Sequence, residues 1–367
     1  MAMMSCTTYG LVMGYLLAAL LSIIGIGQLP AEPLKAPQPR AMTLRQAAGQ
    51  HMVFAYDGLV PPRDLRRRIA RGEAAGVILF ARNVGSTAQV RATMRSLQQI
   101  RRPRGFKAPL IVMADQEGGG VRRIPGAPVR AAADVDTVSQ ARSDGRAAAR
   151  TLLRAGVNVN LAAVADVARP GAALEAERRT YGRTSYDVTR LASAFAAGLR
   201  AGRVLATPKH FPGFGAADVN TDAAPARIES SLDTLRAVDE PPFAALIAAG
   251  VPAVMVSTAV YPALDEQPAA LSPLWVRGEL RRHLRFRGVA VSDDLGTPAV
   301  APFGSNGRRA ALAVQAGIDI PLFAGSYRAG VEAFHGIVAA AQSGHLDLGV
   351  LRDKARRVLR MRARLAR

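Results

Sequence analysis

The feature that most constrains the fold of this chain is a regular alternation of short apolar runs with longer amphipathic stretches. Each run is too short and too continuously apolar for an amphipathic helix, and such runs are typical of parallel strands that are buried on both faces. The pattern therefore predicts eight strands, at residues 52–55, 76–80, 110–114, 157–161, 204–207, 253–256, 289–291 and 318–323.

The stretches between these runs carry apolar residues at helical spacing. Ser272 followed by Pro273 is a typical helix start, with an N-cap residue and then proline at the first helical position. In the last helix, residues 351–365, one face is apolar and the other is arginine, and we expect the arginine face to be solvated. The other predicted helices are 87–100, 137–155, 187–201, 232–249, 272–284 and 308–316.

Eight strand and helix units within residues 42–367 predict an α/β fold of the (β/α)8 TIM-barrel type, in a single domain. The alternative is an open, doubly wound sheet, which would carry a glycine-rich phosphate loop after an early strand. The one candidate loop is Gly118-Gly119-Gly120, and it lacks both the GxGxxG and the GK[ST] pattern. The barrel is therefore favoured.

Before the predicted barrel lies a hydrophobic N-terminal segment. Residues 11–26 form an apolar run, so 1–29 is predicted to be a signal peptide or a membrane anchor, and the proline-rich 30–41 a linker. The run lacks a preceding positive region, which leaves an incorrectly assigned start or a buried helix as alternatives. Cys6 precedes the run, which is the wrong position for the acylated cysteine of a lipoprotein. The expected location is secreted or membrane-anchored, outside the cytoplasm.

The net charge of +20 raises nucleic acid as a partner. All but four of the 48 Lys and Arg residues are arginines scattered over the whole chain, which is typical of a GC-rich genome, so no nucleic-acid partner is expected. The single cysteine excludes a disulfide framework, and the five histidines show no HxH or HxxxH spacing. We expect neither a metal nor a cofactor.

Polar residues follow several of the predicted strands directly. They are Asp115 to Glu117, Asp166, Lys209 with His210, Ser257 with Thr258, and Asp293 with Asp294. An aspartate after a strand is often only a helix N-cap, and this remains an alternative for Asp166 and Asp294. Because the active site of a barrel lies at the carboxyl ends of its strands, we expect these side chains to converge. Facing carboxylates beside a Lys-His pair suit the cleavage of a glycosidic bond.

Several short blocks resemble glycoside hydrolase family 3, and in particular its short, single-barrel β-N-acetylglucosaminidases. The most specific are PKHFPGFG at 208–215 and VAVSDDL at 289–295. Further similar blocks are GVILFARNV at 76–84, ADQEGGGVRR at 114–123, RTYG at 179–182, AVQAGIDIPLF at 313–323 and VLR at 358–360.

The resemblance implies an O-glycosyl hydrolase that removes terminal β-linked N-acetylhexosamine-type sugars with retention of configuration and without a cofactor. It implies that Asp293 is the catalytic nucleophile. It also implies that the sugar is held by Asp115, Arg123, Arg179, Lys209 and His210. The implied substrate is a glycan, such as one derived from peptidoglycan, and the implied setting is the bacterial envelope.

The sequence departs from the family in the loop that follows Lys209 and His210. The family carries His-Gly and then Asp-Ser-His, whose Asp-His dyad is the general acid and base. This chain has Phe214 and then Asn220-Thr221-Asp222. We hypothesise that Asp222 is the acid/base, with Asp218 as a second candidate and a simple loop turn as the alternative. Loss of the dyad also leaves open a carbohydrate-binding pseudoenzyme.

Overall fold

The computed structural model of the protein describes residues 42–366, and all eight predicted strands are present there. The predicted signal or anchor segment, 1–29, and the linker 30–41 lie outside the described residues. The strands are β1 Val53–Phe54, β2 Gly76–Ile78, β3 Ile111–Ala114, β4 Val159–Asn160, β5 Leu205–Ala206, β6 Ala253–Val256, β7 Val289–Asp294 and β8 Ile320–Leu322.

These strands form a parallel (β/α)8 barrel. Strands β1 to β5 pair in chain order, and β6, β7 and β8 pair in the same way. The two sheets meet where Phe211 pairs with Val256 and donates its amide to the carbonyl oxygen of Met255 at 2.8 Å. Strand β8 lies beside β1, so the barrel is complete.

Alternate residues of each strand face the barrel interior. On β6, Ala253 and Met255 belong to the inner cluster, whereas Val254 and Val256 pack against the surrounding helices. This alternation is the two-residue period of a strand, here with both faces buried. Two residues of the last helix, Val358 and Met361, also pack on the inner cluster. The last helix therefore closes the barrel at the end where the strands begin.

The helices surround the barrel, and most begin at a side-chain cap, as Thr137 shows by accepting the amide of Gln140 at 3.2 Å. They are α1 Leu44–Gln50, α2 Arg63–Arg71, α3 Thr87–Gln98, α4 Val138–Ala155, α5 Ser185–Ala201, α6 Pro241–Ala248, α7 Leu274–His283, α8 Asn306–Ala316, α9 Tyr327–Gln342 and α10 Leu348–Arg364. Helix α7 is wound as a π-helix, and Ser272 caps it by accepting the amide of Trp275. Within residues 42–366, the structure has no helix that is both long and apolar enough to cross a membrane.

The structure contains three helices that the sequence pattern did not predict, α1, α2 and α9, and it differs from the prediction in two others. The predicted helix 232–249 is broken into Leu232–Thr234, a π-helical turn at Leu235–Asp239, and α6. The break precedes Pro241 and Pro242, because proline has no amide hydrogen to continue the helix. The arginine face of α10 is only partly solvated. Arg362 is fully buried and donates to the carbonyl oxygens of Pro109 and Ala108 at 2.9 and 2.6 Å, which satisfies its charge.

Candidate active site

The carboxyl ends of the strands surround an open cavity of about 650 Å³. A cavity of this volume is in the range of small-molecule sites. The structure brings all seven site residues predicted from the sequence to its walls. They are Asp115, Arg123, Arg179, Lys209, His210, Asp222 and Asp293.

A buried ion-pair cluster forms one wall of the cavity. The Nζ atom of Lys209 lies 2.6 Å from Asp115 Oδ1 and 2.6 Å from Glu117 Oε1. Arg179 binds both oxygens of Glu117 at 2.9 Å. Burial alone would raise the pKa of Glu117, but Arg179 and Lys209 hold it well below its usual range. These groups therefore keep fixed charges.

Arg123 lies beside this cluster with an unused donor. Its Nε is 3.6 Å from Asp115 Oδ2, which is too long for a hydrogen bond, and the atom is buried without a partner. A buried donor without a partner is costly unless a ligand satisfies it. The side chain of Arg123 is 34% exposed and lines the cavity, so its guanidinium group is available to bind a hydroxyl group there.

His210 is oriented from behind by Asp166. The Nδ1 atom of His210 lies 2.8 Å from Asp166 Oδ2, and the fully buried Asp166 also accepts the amides of His210 and Phe214 at 3.0 and 2.7 Å. Asp166 does not act as a helix N-cap here. Its three hydrogen bonds fix both the imidazole ring and the start of the loop that leads to Asp222.

Three carboxylates form another wall of the cavity, and unlike the ion-pair cluster this wall has, within residues 42–366, no paired cations. Asp293 and Asp294 end β7, and Asp222 comes from the loop after β5. Asp294 accepts the amides of Gly296 and Ala324 at 2.7 and 3.0 Å. Burial raises the pKa of Asp294 to about 6, despite these two hydrogen bonds.

The loop that carries Asp222 is held by Asn220. The side-chain oxygen of Asn220 accepts the amide of Asp222 at 3.0 Å, and its Nδ2 donates to Glu177 Oε1 at 3.1 Å. Glu177 in turn accepts Nη1 of Arg179 at 2.9 Å, so this loop is tied to the ion-pair cluster. Partial burial and the neighbouring charge of Asp293 raise the pKa of Asp222. Asp218 is exposed and, among the described residues, is not part of the cavity lining.

Sequence reasoning did not assign roles to Glu117, Glu177 or the Asp166 contact. Glu117 lies two residues after Asp115 in the same block, and this spacing is the sequence feature that could have indicated its role. Since β-like spacing of two places both side chains on one face, Lys209 can contact both. No sequence pattern indicates that Glu177 joins Asn220 to Arg179.

One group of side chains within residues 42–366 has metal-binding spacing, and it lies outside this cavity. Ligand atoms of Glu240, Glu279 and His283 lie within 4.8 Å of one another. Arg236 already binds both oxygens of Glu279, at 2.7 and 2.9 Å. The guanidinium therefore occupies the place that a cation would take.

Comparison with known proteins agrees with the fold. The family model described as the glycosyl hydrolase family 3 N-terminal domain matches residues 43–361. The chain belongs to glycoside hydrolase family 3. It is thus an O-glycosyl hydrolase, and the barrel is the one found in solved members of family 3.

Three similar proteins place the chain among the family 3 enzymes. A protein of Arthroderma benhamiae described as an uncharacterised secreted glycosyl hydrolase is 39% identical over 337 residues, covering 89% of this chain and 95% of that protein. A β-hexosaminidase of Nitrosomonas eutropha is 33% identical, covering 70% and 75%. The structure of a family 3 β-N-acetylglucosaminidase from Paenibacillus sp. matches with a TM-score of 0.83 and 31% identity over 89% of this chain. This chain spans 63% of that Paenibacillus chain.

Proposed function

We propose that this protein is a retaining glycosidase that removes terminal β-linked N-acetylhexosamine, with Asp293 as nucleophile and Asp222 as acid/base. The observation that carries the proposal is that both carboxylates line one cavity and that the charge of Asp293 helps to raise the pKa of Asp222. A carboxyl group with a raised pKa beside a second carboxylate in one site is what the reaction requires. The names of the Nitrosomonas and Paenibacillus proteins support the choice of sugar.

In the first step, a carboxylate oxygen of Asp293 forms a bond to the anomeric carbon while the bond from that carbon to the leaving oxygen breaks. Asp222, in its protonated form, donates its proton to the leaving oxygen. In the second step, ionised Asp222 takes a proton from water, and the resulting oxygen displaces Asp293. The configuration at the anomeric carbon is retained, because it is inverted twice.

The ion-pair cluster would hold the sugar. Lys209, Arg179 and Asp115 place hydrogen-bonding atoms at the cavity wall, and charged groups form the stronger hydrogen bonds to neutral hydroxyls. The partly exposed guanidinium group of Arg123 and the Asp166-oriented ring of His210 complete the set of hydrogen-bonding groups.

We place this activity outside the cytoplasm. The similar Arthroderma protein is described as secreted, which supports this location, and the apolar run at 11–26 is compatible with export. Anionic envelope polymers would attract a chain with a net charge of +20. The proposed natural substrates are therefore glycans of the bacterial envelope, including fragments of peptidoglycan, with membrane anchoring through residues 1–29 as part of the proposal.

Trapping with a 5-fluoro N-acetylhexosaminide tests the nucleophile. Such a sugar slows the second step, so the glycosyl group should remain on Asp293 and be located there by peptide mass spectrometry. The variant Asp294→Asn is the control that excludes labelling of the neighbouring carboxylate. It should still be labelled at Asp293. Label on a different residue would refute the assignment, and binding without any label would indicate the carbohydrate-binding alternative.

A further inference from the structure

A second cavity, of about 280 Å³, lies at the opposite end of the barrel. We call it the basal cavity. Its walls include Pro252 and Gly288, which directly precede β6 and β7, and Met361 of α10. Gly288 and Asp293 are five residues apart on one extended segment, so the basal cavity is about 16 Å from the active site along the strand.

Arginines dominate the lining of the basal cavity. Arg357 is bound to Asp319 at 2.5 Å, and the fully buried Asp319 is shared with Arg281 at 2.6 Å. The side chains of the other four form neither a hydrogen bond nor an ion pair within residues 42–366, and none of the described lining residues is acidic. The five arginines of the lining are Arg285, Arg287, Arg357, Arg360 and Arg364.

Their arrangement concentrates positive charge in a recess. Arg357, Arg360 and Arg364 are spaced by three and four residues, so they lie on one face of α10. Arg285 and Arg287 reach the same cavity from the segment before β7. Like charges at helical spacing destabilise one another, and a bound anion would convert this repulsion into attraction. The planar fork of arginine matches the oxygen atoms of a phosphate group.

An apolar cavity of about 210 Å³ adjoins the basal cavity. The two share Gly250, Val251, Pro252 and Arg364. Its remaining wall is mostly aliphatic, including Leu205 and Leu246. A ligand with an anionic head in the basal cavity would therefore have room for a short apolar group beside it.

We propose that the basal cavity binds the phosphate group of a phosphate ester, held by Arg285, Arg287, Arg360 and Arg364. The site is distinct from the glycosidase site and does not depend on the function proposed for that site. The phosphate group that binds there could belong to a small free phosphate compound or to the headgroup of a lipid.

The test uses the purified full chain and calorimetric titration at constant ionic strength. The probes are inorganic phosphate, octyl phosphate and, as an uncharged amphiphile without a sugar, octanol. We expect saturable 1:1 binding of the two phosphates and no binding of octanol. Octyl phosphate binding more tightly than inorganic phosphate would indicate a lipid headgroup, and equal affinity would indicate a free phosphate. Failure of both phosphates to bind at millimolar concentration would overturn the proposal.

Matched variants separate a built site from the general positive charge of the chain. Arg360→Gln with Arg364→Gln should weaken phosphate binding by about tenfold or more, because two charged donors are lost. The control is Arg91→Gln with Arg95→Gln, which removes the same charge from the exposed face of α3 and should change the affinity less than twofold. An equal loss in both variants would refute a specific site. Turnover of an aryl glycoside should be unchanged in both.

A third variant distinguishes loss of the ligand from loss of the fold. Arg285 has a φ of 55°, in the left-handed region that favours glycine, directly after the last turn of α7. Arg285→Gly should therefore raise the melting temperature of the free protein while it weakens phosphate binding. If this variant is more stable and retains full affinity, Arg285 is not a ligand and the proposed set is wrong.

Discussion

Two sets of charged residues share the active-site cavity, and they are organised in opposite ways. Around Lys209, each carboxylate lies against a cation, as Glu117 does against both Lys209 and Arg179. At the other wall, burial and the charge of Asp293 raise the pKa of Asp222 and of Asp294, and within the described residues none of these three carboxylates forms an ion pair.

The difference separates two tasks. A matched, buried cluster keeps its charges at all working pH values, which suits the holding of a substrate in one orientation. In the second set, the pKa of Asp222 and of Asp294 is raised, which favours the protonated form and suits the donation of a proton. We therefore expect substitutions in the ion-pair cluster around Lys209 to act mainly on stability and substrate affinity. Substitutions of the unpaired carboxylates should act mainly on turnover and its pH dependence.

The largest effect is expected for Asp222→Ala. Loss of a general acid/base lowers the rate by about 10² to 10⁴-fold for substrates with a poor leaving group. Substrates with an activated aryl leaving group need less protonation in the first step, so their first step should be slowed less. Measurement of kcat and kcat/KM for both substrate types, with the wild-type chain alongside, checks the prediction.

Asp218→Ala is the matched control for this variant, since Asp218 lies in the same loop but outside the cavity lining of the described residues. It should keep near wild-type kcat on both substrates. In Asp222→Asn, the alkaline limb of the pH profile should disappear, because the wild-type limb reports the raised pKa of Asp222. Unchanged rates in Asp222→Ala on both substrates would disprove its role as acid/base.

The next effect is a loss of stability in Lys209→Met. This change leaves Asp115 and Glu117 buried beside one cation fewer, and removal of one partner of a buried ion pair costs about 3–5 kcal/mol. The free energy of unfolding from urea denaturation measures it. If the Lys209→Met variant remains soluble and active, we also expect it to have a higher KM than the wild-type chain.

The double variant Lys209→Met with Glu117→Gln sharpens the interpretation. Because it removes the unpaired charge together with its partner, it should recover part of the stability lost in the single variant. Suppose instead that the two changes lower the free energy of unfolding by the sum of their separate effects. In that case Lys209 and Glu117 are not energetically coupled, and their ion pair does not stabilise the fold.

The smallest effect is expected for Asp294→Asn, and it depends on pH. The folded pKa of Asp294 is raised to about 6, so its protonated form stabilises the fold fully below about pH 4. This contribution is lost as pH rises through about 6. Asparagine keeps the oxygen that accepts the amides of Gly296 and Ala324 and never ionises. At about pH 7 the variant should thus be more stable than wild type by about 2–3 kcal/mol.

Urea denaturation at about pH 4 and about pH 7 provides the readout for Asp294→Asn. At the lower pH the variant and the wild-type chain should have nearly equal free energies of unfolding. Asp218→Asn is the control, and since Asp218 is exposed, this change should alter the free energy of unfolding by less than about 0.5 kcal/mol at either pH. A stability difference for Asp294→Asn that is equal at both pH values would contradict a raised pKa of Asp294.

Much of the fold could be predicted from local patterns. The eight apolar runs became β1 to β8, because short runs of buried, β-branched residues have few other stable conformations. The break at Pro241 was missed although the proline is visible in the sequence, since helical spacing of apolar residues on both sides suggested one helix. The burial of Arg362 could not be predicted, because its carbonyl partners are about 250 residues away in the chain, as the separation of 253 between Arg362 and Pro109 shows.

The candidate site was predictable in its members but not in its contacts. The position of polar residues after strands placed Asp115, Lys209 and Asp293 at one end of the barrel. The sequence could not show that Lys209 lies between Asp115 and Glu117, or that Asn220 joins the Asp222 loop to Glu177. These contacts depend on loop conformations that the strand pattern does not determine.

The sequence by itself determined the barrel and the end of it at which polar side chains gather, because the periods of buried strands and helices are local properties of the chain. Tertiary structure alone decided which of these charges are neutralised and which are not. Charge interactions depend on distance and burial between segments far apart in the chain, so Lys209 became a fixed cation while Asp222 and Asp294 gained proton affinity.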